Sequence, residues 1–114
     1  MSRSTETTEA DRRRRHPHHR RLRGRSGETG RALVGERLAA CVQLTPIRSR
    51  YTWKGAVQRD DEILLLIKTG QDLFEAVRAR VRALHSYETP EIVMLPVQAG
   101  DPDYLAWIAA ETQS

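Results

Sequence analysis

The side chains best suited to chemistry gather around one histidine. His85 is followed by Glu88 and Glu91, and an imidazole flanked by carboxylates suits a borderline divalent cation. The plainer alternative is a loop histidine whose ring is bonded to backbone. A second group is Lys68 with Trp53, Tyr51 and Tyr104. A lysine framed by aromatic faces would hold an anion or carboxylate in a pocket at a subunit junction, although the same aromatics would serve equally as interface packing. Cys41 is the single cysteine, which excludes an intramolecular disulfide and fits a reducing compartment. It reads as a small buried hydrophobe. The acids at residues 60–62 lie near a strand start and read as solvated charge. No GxSxG, HExxH, CxxC or phosphate-cradling glycine loop occurs, and His85 has no evident nucleophile partner. The residues support binding and give no support to an enzyme.

The charge is placed unevenly. Residues 1–28 hold nine arginines against four acids, whereas residues 29–114 hold ten Lys/Arg against eleven Asp/Glu. The basic balance therefore belongs to the first 28 residues, which weakens any argument from net charge to nucleic acid. Ala10 and Leu22 are their only aliphatic side chains after Met1. So little apolar area cannot offset an ordering entropy of about 1–2 kcal/mol per residue. Residues 1–28 are expected to be a disordered basic tail, and residues 29–114 the domain. The arginines at 12–15 would bind RNA, DNA or anionic lipid, and His16, His18 and His19 would chelate a soft divalent metal. The simpler reading is a solvated low-complexity extension; a shifted reading frame in a GC-rich gene would also produce such a run. There is no apolar h-region for secretion, and the longest aliphatic stretch, residues 63–67, is far short of a membrane span. A cytoplasmic protein is the default expectation.

The elements that must position these residues follow from periodicity. Ala32, Leu33, Val34, Leu38 and Ala39 predict a helix with Thr29 as N-cap, ending near Ala40. Gly35 inside it suggests close packing. Residues 42–53 predict a long strand, with a bulge at Pro46 where the apolar parity changes. Lys54 and Gly55 form a tight turn, and the chain returns as a hairpin partner. Residues 63–67 are apolar at every position, which predicts burial on both faces. One short chain hardly supplies both covering layers, so oligomerisation is expected. Asp72 would cap a second helix bearing Leu73, Val77, Val81 and Leu84. After the loop at 85–90 a short strand follows, confined to an edge or terminus by Pro96. Asp101 and Pro102 open a last helix carrying Leu105, Trp107 and Ile108. The expected class is α+β, a ferredoxin-like split βαβ fold with an added C-terminal helix and its central first strand missing.

Five stretches carry a family resemblance. Residues 36–42 (ERLAACV), 51–55 (YTWKG), 62–69 (EILLLIKT), 84–91 (LHSYETPE) and 100–108 (GDPDYLAWI) resemble, in order, blocks of the CutA family. The resemblance implies a compact homotrimer in which long hairpins pair between subunits. It also implies a cytoplasmic role in tolerance of copper and other divalent cations. Family members place an apolar strand and a Thr-rich loop, some with a metal-binding cysteine, before the first helix; this chain has neither that strand nor a cysteine there. It has Leu84 then His85 where some members have two histidines. Two other functional readings stand beside this one: a nucleic-acid-binding module acting only through the basic tail, and a trimeric scaffold without a ligand.

Overall fold

A two-residue turn sets the dominant element. The structure is a computed structural model that describes residues 4–8, 19–85 and 91–113. Lys54 and Gly55 have φ of 52° and 81°, and Trp53 pairs with Ala56 across them. Positive φ at both central residues is the backbone of a type I′ turn, whose twist matches that of antiparallel strands. The turn joins two long strands, Cys41–Trp53 and Ala56–Gly70. We number the elements β1 (Ser4–Thr8), α1 (His19–Gly35), β2 (Cys41–Trp53), β3 (Ala56–Gly70), α2 (Phe74–Leu84), β4 (Val93–Pro96) and α3 (Pro102–Glu111). A 3-10 turn at Gln71–Leu73 leads into α2. The strands form one sheet in the order β2-β3-β1-β4, with every neighbouring pair antiparallel.

The expectation of a missing first strand is corrected. Ser4–Thr8 lies between β3 and β4, with Thr5 opposite both Thr69 and Pro96. Polar side chains hid this strand from a reading based on apolar content. Its three threonines favour extended backbone, and a central strand is bonded on both sides whatever its side chains.

Two corrections concern α1. It begins at His19, so Thr29 is inside the helix and not its cap, and its hydroxyl donates to the Arg25 carbonyl at 3.1 Å. The helix ends at Gly35, short of Ala40, in a Schellman motif. Leu38 N–H bonds the Leu33 carbonyl at 2.9 Å and Arg37 N–H bonds that of Val34 at 3.1 Å, with Arg37 at φ 62°. Gly35 has open space around it; the close approach is at Gly30, where a Cβ would sit 3.3 Å from Val42 Cγ1.

No bulge occurs at Pro46. The register runs unbroken from Cys41 opposite Lys68 to Trp53 opposite Ala56. β2 is an edge strand, where a missing donor is tolerated. The parity change records a change of face. Val42 packs on the helix-side core, whereas Ile47, Tyr51 and Trp53 lie on the opposite face of a hairpin that outruns the helices.

That core joins Leu33, Leu38, Ala39, Ile63, Leu65, Ile67, Val77 and Val81. Each large aliphatic among them contributes about 1.5–3 kcal/mol over its exposed state. Leu64 and Leu66, on the other face of β3, are only half-buried. Burial of both faces is therefore complete on one side only within a single chain. Asp72 does not cap α2; it lies in the preceding 3-10 turn, and α2 starts without a side-chain cap. β4 occupies the sheet edge that Pro96 demands. Asp101 caps α3 as expected, its Oδ2 accepting from the backbone N–H of Asp103 (3.1 Å) and of Tyr104 (3.3 Å), with Pro102 in the first turn. α3 packs against β3 and β1 and buries Ile108.

Candidate functional site

His85 leaves the end of α2 and turns inward. Its backbone N–H still bonds the Val81 carbonyl at 3.0 Å, while its own conformation is extended, so the ring is directed away from the helix course. It is 5% exposed, and its Nε2 lies 2.6 Å from Thr29 Oγ1 on α1. A hydroxyl has one proton, and that of Thr29 is directed to the Arg25 carbonyl. The arrangement that satisfies both contacts has Nε2–H donating to Oγ1. While this bond holds, Nε2 has no lone pair to offer a metal. Glu91 is exposed, and Glu88 lies outside the described residues, as do the arginines at 12–15 with His16 and His18.

Cys41 and Lys68 stand directly opposite each other where β2 and β3 leave the core. Cys41 is half-buried rather than buried. Trp53 is at the other end of the same hairpin, with the Lys54 ammonium 5.9 Å from its ring centroid. Twelve residues separate Lys68 from Ala56, the partner of Trp53, about 40 Å at the rise of an extended strand. Within one chain Trp53 and Lys68 cannot line a common pocket, and only a second copy can bring them together. Tyr104 stacks on Trp107 with centroids 5.9 Å apart, both rings partly exposed on α3.

The acids at residues 60–62 are not all solvated. Asp60 and Glu62 are each 3% exposed, on the sheet face opposite α1 and α2. The Tyr51 hydroxyl donates to Asp60 Oδ2, and Asp60 Oδ1 has no hydrogen-bond partner among the described residues. Their period-two spacing with Leu64 and Leu66 was the available signal. Asp61, on the other face, pairs with Arg48 at 3.2 Å. Glu36 holds Arg80 through a bidentate pair at 2.8 Å, and this hydrogen bond and charge raise the arginine above its ordinary pKa.

Among the described residues, no three His, Cys, Asp or Glu side chains converge as a metal site. His85 is buried with Nε2 held by Thr29 and Glu91 is exposed, so these residues do not by themselves converge on a copper ion.

The family model of the CutA1 divalent ion tolerance protein matches residues 23–111. The chain belongs to this family. A divalent-cation tolerance protein CutA from Thermus thermophilus is 49% identical over 83 residues, covering 72% of this chain and 81% of the relative. Mouse protein CutA is 48% identical over 88 residues, covering 76% of this chain and 50% of the relative. The chain thus spans about half the length of the mouse relative. Among solved structures, the Thermus thermophilus Cut A1 superposes with a TM-score of 0.80 at 38% identity, covering 99% of this chain and 100% of that one. Rice CutA1 gives 0.83 at 33% identity, covering 97% of this chain and 94% of that one. The matched span holds His85, Lys68, Trp53 and Tyr104; β1 lies before it.

Among the described residues, no helix is long and apolar enough to cross a membrane.

Proposed function

We propose that this chain is a divalent-cation tolerance protein that works in the cytoplasm as a homotrimeric binding protein without a catalytic step. The observation that carries the reading beyond family membership is the unfinished hairpin. Leu64 and Leu66 are half-buried on the face of β3 turned away from its helix-packed core, so apolar surface awaits another sheet. The strand order β2-β3-β1-β4, with β3 and β1 central, supports the ferredoxin-like description. On this reading Trp53, Lys68 and Tyr104 form a ligand pocket only between copies. The loop after α2, with His85, Glu88 and Glu91, is where a divalent cation such as copper meets the protein. That contact is weak, because His85 is buried with its Nε2 held by Thr29.

Two measurements test this separately. Sedimentation equilibrium of the full chain should give three times the monomer mass; a stable monomer at working concentration removes the assembly. Calorimetric titration with copper(II) should show weak binding that His85→Ala and Glu91→Gln each reduce. Affinity unchanged in both variants removes the loop from the reading.

A further inference from the structure

The outer half of the hairpin carries a charge arrangement that the fold does not use. Arg50 and Arg59 stand directly opposite each other across β2 and β3, both exposed. Neither has a hydrogen-bond or ion-pair partner among the described residues. Like charges in directly opposed positions destabilise a strand pair, so the arrangement opposes the hairpin that displays it. On the same face, one pair inward, Arg48 Nε meets Asp61 Oδ1 at 3.2 Å, so the carboxylate of that pair is already engaged. One pair outward are Thr52 and Val57, the latter 74% exposed. The face therefore presents two uncompensated guanidinium groups, held in register by the turn at Lys54 and Gly55.

We propose that the Arg50–Arg59 pair binds a free multivalent oxyanion of the phosphate class. Directly opposed residues have Cβ atoms about 4.5–5.5 Å apart, and each guanidinium presents a planar fork of donors suited to paired oxygens. A tetrahedral dianion offers oxygens to both forks and cancels both charges. A single carboxylate satisfies one fork, and chloride satisfies neither. Because the site is open to water and screened by salt, affinity is expected to be weak and to fall as ionic strength rises. This inference does not rest on the tolerance reading.

The test titrates pyrophosphate and inorganic phosphate into the full chain, against sodium chloride at matched ionic strength. Wild type, Arg50→Gln, Arg59→Gln and Arg78→Gln are compared. Arg78 is exposed and paired with Glu75, so its variant makes the same change in net charge elsewhere. Saturable binding is expected in wild type and in Arg78→Gln. Each hairpin variant should bind about tenfold more weakly, the loss of one charge-assisted contact. Without added anion the hairpin variants should melt above wild type, because the repulsion is gone. Equal loss in Arg78→Gln, or unsaturable binding no different from chloride, overturns the site. A single-stranded oligonucleotide that binds more tightly than pyrophosphate, in an Arg59-dependent way, replaces the free oxyanion with a polymer and also overturns it.

Discussion

The Thr29–His85 hydrogen bond joins α1 to the end of α2, and its removal is a quantitative test of the candidate site. Thr29 is 1% exposed and His85 5% exposed, with 2.6 Å between Oγ1 and Nε2. Thr29→Val preserves shape and β-branching, and the two residues differ little in helix propensity. The substitution therefore removes one hydroxyl and little else. The Arg25 carbonyl retains its helical environment, but the buried Nε2–H loses its Thr29 acceptor. Such a loss costs about 1–3 kcal/mol. For a domain of this size that corresponds to about 4–8 °C in Tm for each kcal/mol. Thr29→Ser keeps the hydroxyl and should lose less than half as much. In a cycle with His85→Leu, the double variant should be less destabilised than the sum of the singles, because no donor remains to be orphaned. Urea or thermal unfolding at fixed protein concentration provides the readout. If Thr29→Val matches Thr29→Ser within about 0.5 kcal/mol, or the cycle is additive, the buried bond is not what holds His85.

Two further substitutions test the backbone. Arg37 sits at φ 62° while its guanidinium donates to the carbonyls of Ala110 (2.9 Å) and Thr112 (3.4 Å). Arg37→Gly relieves the left-handed conformation and Arg37→Ala does not, so the glycine variant should be more stable by about 1 kcal/mol in urea titration. The reverse order would remove the Schellman assignment. Gly55 has φ 81° and open space where a Cβ would be built. Gly55→Ala should thus cost about 1–2 kcal/mol from backbone strain alone, read as a lower urea midpoint with unchanged m-value.

What the sequence shows depends on whether a residue's partner is near in the chain. The turn at Lys54 and Gly55, the Asp101 cap and the Val77/Val81 stripe are local patterns, and each is present in the structure. Thr29 misleads because a threonine before an apolar run looks the same whether it caps a helix or back-bonds within one. Only the residues upstream separate the two cases, and those are too polar to announce a helix. His85 was legible as a functional candidate, but its hydroxyl partner lies 56 residues away, beyond any local pattern. Asp60 and Glu62 read as surface charge because three consecutive acids mask their alternation, although the ladder sends Asp61 to one face and its neighbours to the other. Ser4–Thr8 gave no signal, since a central strand needs backbone partners and not apolar side chains.

The two faces of the hairpin also decide where self-association can run. On the helix-side face beyond the core lie Arg48, Arg50 and Arg59 with the single acid Asp61. Covering that face with another copy withdraws three guanidinium groups from water against one compensating charge, at several kcal/mol per unpaired ion. The opposite face presents Leu64 and Leu66, each half-buried, and completing their burial gains about 1 kcal/mol apiece. Its acids, Asp60 and Glu62, are already withdrawn from water within the chain, so a neighbour adds little further desolvation. The trimer proposed above therefore closes through the leucine face. The arginine face stays open to solvent, where a small oxyanion can reach it.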